Sequence, residues 1–164
     1  MKFHLVDRIE SIEPGKRIVT TKALSLAEEY LADHFPGFPV MPGVLMLESM
    51  AQGGAWLVRV HQDFAKSIIV LASARNVRYS NFVQPGQALR CELDAIDIND
   101  GEAKFKASGF VGDVLTVSAR LELRCFNLAE RGLSPSADEA IVADLKKRFE
   151  LIGGAQALAT AGSR

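Results

Sequence analysis

Hydrophobic and polar positions alternate with a period of two along three consecutive stretches of this 164-residue chain. Leu89, Cys91, Leu93 and Ala95 fall on one face, opposite Arg90, Glu92 and Asp94. Phe105, Ala107 and Gly109 alternate with Lys104, Lys106 and Ser108, and Leu115, Val117, Ala119, Leu121 and Leu123 alternate with Thr116, Ser118, Arg120, Glu122 and Arg124. Such strands bury one face and wet the other, which predicts an antiparallel meander. The breaks carry turn chemistry: Asn99-Asp100-Gly101 is a hairpin signal, and Gly112-Asp113 turns the chain again. Upstream, Glu13-Pro14-Gly15-Lys16 reads as a turn into a strand over residues 17–24, and Gln84-Pro85-Gly86-Gln87 as the turn before the meander. Residues 67–79, rich in β-branched side chains, read as one more strand. Residues 26–32 read as a short helix with Glu28 and Glu29 in solvent.

Two stretches leave the period of two. Pro36, Pro39, Pro42, Gly37 and Gly43 punctuate the chain too densely for helix or strand. From Pro42, well suited to a first helical turn, residues 44–58 continue apolar on every side except at Glu48 and Gln52, which predicts a buried central helix. Ser49, Ala51, Gly53, Gly54 and Ala55 let other backbone approach it closely, although each glycine costs about 1 kcal/mol of helix propensity. Beyond Cys125 an amphipathic helix is predicted. Ser136 and Glu139 resemble a capping box, and Ile141, Leu145, Phe149 and Ile152 form a stripe that ends at Gly153-Gly154. The last dozen residues read as a frayed tail. One helix with a mostly antiparallel meander predicts the α+β class.

Glu48 is the anomaly of the central helix. A carboxylate in an apolar setting costs several kcal/mol unless it is paired or takes up a proton, and no lysine or arginine lies within a helical turn of it. Gln52 shares its face and can hydrogen-bond it. That makes Glu48 a candidate proton donor, and His34, beside the rigid proline-glycine loop, a candidate base. Without that pairing, a histidine in such a loop would read as structural. Gln52 reads equally as catalytic support or as an amide satisfying nearby backbone.

The run HFPGFPVMPGVLMLESMAQ resembles the signature of the β-hydroxyacyl-acyl-carrier-protein dehydratases, with histidine, prolines, glycines, glutamate and glutamine at the family's spacing. The flanks LVDRIESIEPGKRIV and VRYSNFVQPGQALRCEL resemble it too, so the likeness spans roughly residues 3–125. It implies the hotdog fold, a long central helix wrapped by a curved antiparallel sheet, over residues 1–126, with a C-terminal extension over 127–164. It implies removal of water from a (3R)-hydroxyacyl thioester to give the trans-2-enoyl thioester, in fatty-acid or related acyl-chain synthesis. By resemblance His34 takes the α-proton and Glu48 protonates the leaving hydroxyl. The Gly43 N–H and the positive end of the helix dipole face the developing enolate oxygen, with Gln52 at the substrate. No metal or organic cofactor is implied. The implied partners are an acyl-carrier-protein thioester and a second copy of the chain, in a homodimer or an oligomer of dimers, each site pairing the histidine of one subunit with the glutamate of the other. Glutamate rather than aspartate on the helix resembles the branch that dehydrates without isomerising. The sequence departs from the family at Gln87, commonly aspartate there, and at Ala72-Ser73-Ala74, usually a glycine-containing segment; both departures bear on the tunnel or the dimer contact rather than on the chemistry.

A formal net charge of −1 gives no case for nucleic acid. The one long apolar run, residues 43–58, is too short for a membrane span and contains Glu48, so no membrane partner and a cytoplasmic location are expected. A hydrophobic fraction of 48% leaves room for surface buried between subunits. Cys91 and Cys125 have no metal-like spacing and read as core thiols. Arg59, Lys66, Arg75 and Arg78 outnumber Asp63 between positions 59 and 78, a pattern that fits either docking of an acidic carrier or an ordinary solvated face. Because the hotdog fold also hosts thioesterases and non-catalytic acyl-binding modules, both stand as alternatives to the dehydratase.

Overall fold

The computed structural model describes residues 3–162. Strands β1 (Arg8–Glu13), β2 (Arg17–Ala23), β3 (Ile68–Tyr79), β4 (Ala88–Ile98), β5 (Glu102–Val111) and β6 (Val114–Phe126) form one antiparallel sheet in the order β1-β2-β4-β5-β6-β3. Helix α1 (Gly43–His61) lies against β2 through β6, so the sheet curves around it. The alternating side chains meet the helix as their period requires: Leu89, Leu93, Phe105 and Leu123 are all but inaccessible, as are Met50, Leu57 and Val58 of α1. Full burial of each such side chain contributes about 1.5–3 kcal/mol. The small residues of α1 permit this closeness, since a Cβ on Gly53 would stand 3.1 Å from Leu93 and Thr20, and one on Gly54 3.2 Å from Leu93 and Leu123.

The sheet carries several register shifts, two of which bear on the site. A bulge between Gly109 and Phe110, opposite Val117 and Leu115, shifts the phase of β6 by one residue. Thr116 is therefore buried and Leu115 exposed, the reverse of the period-two expectation. A second bulge lies between Arg75 and Arg78 on β3, where Asn76 has a φ of 54°.

The predicted helix over 26–32 shrinks to a short 3-10 turn, Glu29–Leu31. Its start is diverted by charge. Lys22, nearly buried, donates to Glu28 at 2.6 Å and to Asp7 at 3.2 Å, which draws Glu28 out of solvent and leaves its backbone extended. Burial opposes the charge on Lys22, but the hydrogen bond to Glu28 and the charge of Asp7 outweigh it and hold the ammonium pKa above its ordinary value.

The extension folds onto the same core. Helix α2 (Pro135–Leu151) is capped by Ser134, whose Oγ accepts from the Ser136 N–H, with Pro135 in the first turn. The cap thus lies two residues before the one expected at Ser136, and the capping box belongs instead to Asn127 and Glu130 on the short turn Leu128–Arg131. Phe149 packs on Trp56 and Phe64, with ring centroids 5.8 and 5.7 Å apart. The expected frayed tail is corrected: Gly154–Ala161 forms a helix, α3, seated on β1 with Ala157 buried, and only residues 163–164 of that stretch lie outside the described residues. Gly153, at a φ of 84°, makes the sharp reversal between the helices, and Gly154 leaves the space that the Phe149 ring fills.

Candidate active site

The loop before α1 holds His34 from two sides. The Val40 N–H donates to the His34 carbonyl at 3.0 Å, and the His34 ring Nδ1 lies 2.9 Å from the Val40 carbonyl. A carbonyl only accepts, so Nδ1 carries a proton and the neutral ring has its lone pair on Nε2, the tautomer a general base needs. The loop closes on itself through Phe35 and Phe38, which exchange backbone hydrogen bonds of 3.2 and 3.0 Å, and the His34–Phe35 peptide bond is cis.

His34 lines a mostly apolar cavity of about 450 Å³, together with Met41, Gly43, Val44, Met46 and the segment Tyr79, Ser80, Asn81 and Phe82. No side chain caps α1 at its N-terminus, and Gly43 is its first residue, so first-turn N–H groups and the positive end of the dipole meet the cavity. Glycine lets Tyr79 close over the helix start, because a Cβ at position 43 would lie 2.9 Å from its ring and would have to displace it. Met46 lines the cavity, whereas Met50 lies wholly within the core.

The wall formed by residues 79–82 is the part that sequence reasoning missed. Its position depends on the bulge at Thr116, whose carbonyl receives the Ser80 N–H at 2.8 Å and the Asn81 N–H at 3.4 Å. Phe82 then meets Phe38 edge to face at 5.4 Å, which joins this wall to the His34 loop. The sequence carried a signal in the flank VRYSNFVQPGQALRCEL, which contains these residues, but gave them no place at the cavity.

Glu48 stands apart from this cavity within the chain. Its half-buried carboxylate accepts a 2.9 Å hydrogen bond from the Gln52 Nε2. The Gln52 amide is already occupied, with Nε2 also donating to the Phe3 carbonyl at 3.2 Å and Oε1 accepting the Leu5 N–H at 2.9 Å. Within the chain Gln52 does not line the cavity, and its amide is engaged by Glu48 and by the N-terminal segment.

The four basic residues between positions 59 and 78 also separate. Arg59 is withdrawn over the Trp56 ring at 5.1 Å, and burial lowers its pKa to about 10. Lys66 is paired with Glu130 and Asp100 at 3.0 and 3.2 Å. Arg75 and Arg78 alone reach open surface. Cys91 and Cys125 are buried free thiols, pushed by burial up to about 12 and about 11. Among the described residues no three His, Cys, Asp or Glu side chains gather closely enough to hold a metal ion.

The chain is similar to known proteins over most of its length. Residues 1–124 match the family model of the FabA-like domain. The chain is 37% identical over 127 residues to the 3-hydroxyacyl-[acyl-carrier-protein] dehydratase FabZ of Symbiobacterium thermophilum, covering 77% of this chain and 89% of the relative. It is 40% identical over 119 residues to the FabZ of Desulforamulus reducens, covering 73% and 84%. The chain belongs to the FabA-like dehydratase family. Among solved structures, the dehydratase heterocomplex ApeI:P from Xenorhabdus doucetiae superposes with a TM-score of 0.63 at 17% identity, covering 76% of this chain and 84% of that one. The protein smu.793 of Streptococcus mutans, bound to acetyl CoA, superposes with a TM-score of 0.57 at 13% identity, covering 77% and 93%. At such identities the likeness is one of fold, and the fold of this FabA-like protein is the hotdog.

Proposed function

We infer that this protein is a 3-hydroxyacyl-[acyl-carrier-protein] dehydratase, a hydro-lyase of fatty-acid or related acyl-chain synthesis acting in the cytoplasm. The observation that carries the reading is His34, held by Val40 in the tautomer of a base, at an apolar cavity on the uncapped start of α1. His34 Nε2 takes a proton from the carbon next to the thioester carbonyl. The electron pair moves onto the thioester oxygen, where the Gly43 N–H and the dipole of α1 meet the negative charge. As that charge returns to form the double bond, the C3–O bond breaks and Glu48 protonates the departing hydroxyl, so that water leaves and the trans-2-enoyl thioester remains.

Because Glu48 does not line the cavity of its own chain, Glu48 of the partner subunit completes each site in this reading. Two features of the surface support a dimer. β3 is an edge strand with one side unpaired, and an open edge of that length is a ready partner for another strand. Apolar side chains at the cavity are exposed, at 68% for Val44 and 56% for Phe82, and Phe35, stacked on His34, is exposed as well.

The test is hydration of a crotonyl thioester followed spectrophotometrically, with thiol release measured in parallel. Loss of enoyl absorbance without free thiol is the expected result. Thiol release at a comparable rate would identify a thioesterase, and neither signal would leave a non-catalytic acyl-binding module.

A further inference from the structure

The N-terminal residues grip one side chain of α1. Residues 3–7 precede β1 and belong to no strand. Leu5 and Val6 are buried in the core, while Phe3 and His4 are exposed. Their main chain meets the Gln52 amide at both ends: the Leu5 N–H donates to Oε1 at 2.9 Å, and the Phe3 carbonyl accepts from Nε2 at 3.2 Å. A carbonyl and an N–H ask for opposite partners, so together they admit the amide one way round only. Oε1 faces Leu5 and Nε2 faces Phe3.

Nε2 carries two hydrogens, and the second goes to Oε1 of Glu48 at 2.9 Å. An amide nitrogen donates and does not accept, so this oxygen of the carboxyl group is the accepting one whether Glu48 is charged or protonated. Among the described residues no other group hydrogen-bonds the Glu48 side chain, so a proton held by Glu48 sits on Oε2, the oxygen left open. With the amide turned round, its oxygen would face Glu48 and draw that proton into a hydrogen bond within the chain. The N-terminal main chain thus does for Glu48 what the Val40 carbonyl does for His34.

This segment is in turn held by two other elements. The Asp7 N–H donates to the Thr21 carbonyl of β2 at 2.9 Å, and the Ile9 N–H to the Ile152 carbonyl of the C-terminal extension at 2.8 Å. His4, between the two residues that grip Gln52, lines a hollow of about 460 Å³ with Ile141, Leu145 and Leu151. The extension therefore backs the segment on the side away from Gln52.

We propose that residues 3–5 are a positioning segment for the catalytic acid: their main chain sets the orientation of the Gln52 amide and thereby places the transferable proton of Glu48 on Oε2, where the departing hydroxyl meets it. The proposal rests on the dehydratase reading for the role of Glu48, and on the hydrogen bonds of Gln52 for the placement. Phe3 and Leu5 line no part of the cavity and act through Gln52 alone.

The test compares Leu5→Pro with Leu5→Ala in hydration of the crotonyl thioester. Proline removes the N–H that holds Oε1, whereas alanine keeps it while giving up buried packing at the same position. The expected result is a kcat lower by about tenfold in Leu5→Pro with KM little changed, and a kcat near wild type in Leu5→Ala. Equal losses of kcat in the two variants, or none in Leu5→Pro, would overturn the proposal. The second readout is the side-chain amide pair of Gln52 in the ¹H–¹⁵N spectrum, assigned by its absence in Gln52→Leu. Both protons are hydrogen-bonded, so in wild type and Leu5→Ala they should exchange slowly with water, and in Leu5→Pro as fast as an exposed amide. Fast exchange in wild type would refute the grip on Gln52, and that outcome needs no variant to fold. Should wild type hydrate no crotonyl thioester, the dehydratase reading fails, and the same spectrum still decides whether residues 3–5 fix the amide: protection lost only in Leu5→Pro supports it, and protection absent in wild type or kept in Leu5→Pro refutes it.

Discussion

Gln52, four residues from Glu48 on the same helix face, is held at both ends of its amide. Its Oε1 accepts a backbone N–H and so fixes which end of the amide faces Glu48. Gln52→Leu keeps the volume but strands the Leu5 N–H and frees the Glu48 carboxylate. It is expected to cost about 1–3 kcal/mol of stability and to lower kcat more than it alters KM. Comparing urea midpoints and steady-state kinetics separates the two effects, and unchanged kcat would deny Gln52 any part in orienting Glu48. Glu48→Gln is the sharper test. It retains shape and hydrogen bonding but removes the transferable proton, so the melting curve should stay close to wild type while turnover falls by about a hundredfold or more. Near-normal turnover would remove Glu48 from the mechanism.

At the level of elements, the C-terminal extension is bound by polar anchors as well as by its apolar stripe. Asp138 accepts hydrogen bonds from the Ser67 hydroxyl and from the Leu128 and Ala129 N–H groups, at 2.8 and 2.9 Å for the latter two. The Ser67 bond, against the opposing effect of burial and with help from the two backbone donors, holds the Asp138 carboxyl below its ordinary pKa. A depressed carboxylate contributes stability that is complete above the unfolded value of about 3.9 and is lost as pH falls through the lower folded value. Asp138→Asn should therefore melt several degrees lower at neutral pH and show a shallower acid transition, which calorimetry between pH 7 and pH 2.5 would resolve. Phe149→Ala, which empties the space between Trp56 and Phe64, is expected to cost about 3–5 kcal/mol. Deleting residues 127–164 should lower the thermal midpoint without abolishing chemistry, since no described residue of the extension lines the cavity. An unchanged midpoint would mean that the docked helices contribute nothing.

For the whole molecule, the two ends of the sheet are treated differently. α3 and the loop before it close the β1 edge, where the Ile9 N–H donates to the Ile152 carbonyl at 2.8 Å. Among the described residues no strand pairs with the outer side of β3. A dimer through that side predicts complementation between inactive chains. His34→Ala and Glu48→Gln proteins, mixed so that subunits exchange at random, form mixed dimers as about half of the population, each with one intact site. About a quarter of wild-type activity should then return, as two-fold symmetry requires. No recovery, with exchange confirmed by mass, would place both residues of a working site on one chain.

What the sequence by itself determined were the features with a local period or a local turn. The alternation of β4 and β5, the turns at Asn99-Asp100-Gly101 and Gly112-Asp113, and the apolar run of α1 all follow from neighbouring residues, and the structure has them where they were read. His34, Gly43 and Glu48 were legible because they fall within one motif. Tertiary structure decided the rest, because the cause lay on a distant strand or helix. One extra residue in a ladder inverts the faces beyond it, so the pairing of β5 with β6 exposes Leu115 and sets the wall at Ser80, and the pairing of β3 with β6 turns Arg78 outward. The small residues after Gly153 have little tendency to form a helix in water and do so here against β1. Local hydrophobicity records how much of a segment is buried, while the partner that buries it is chosen only when the chain closes.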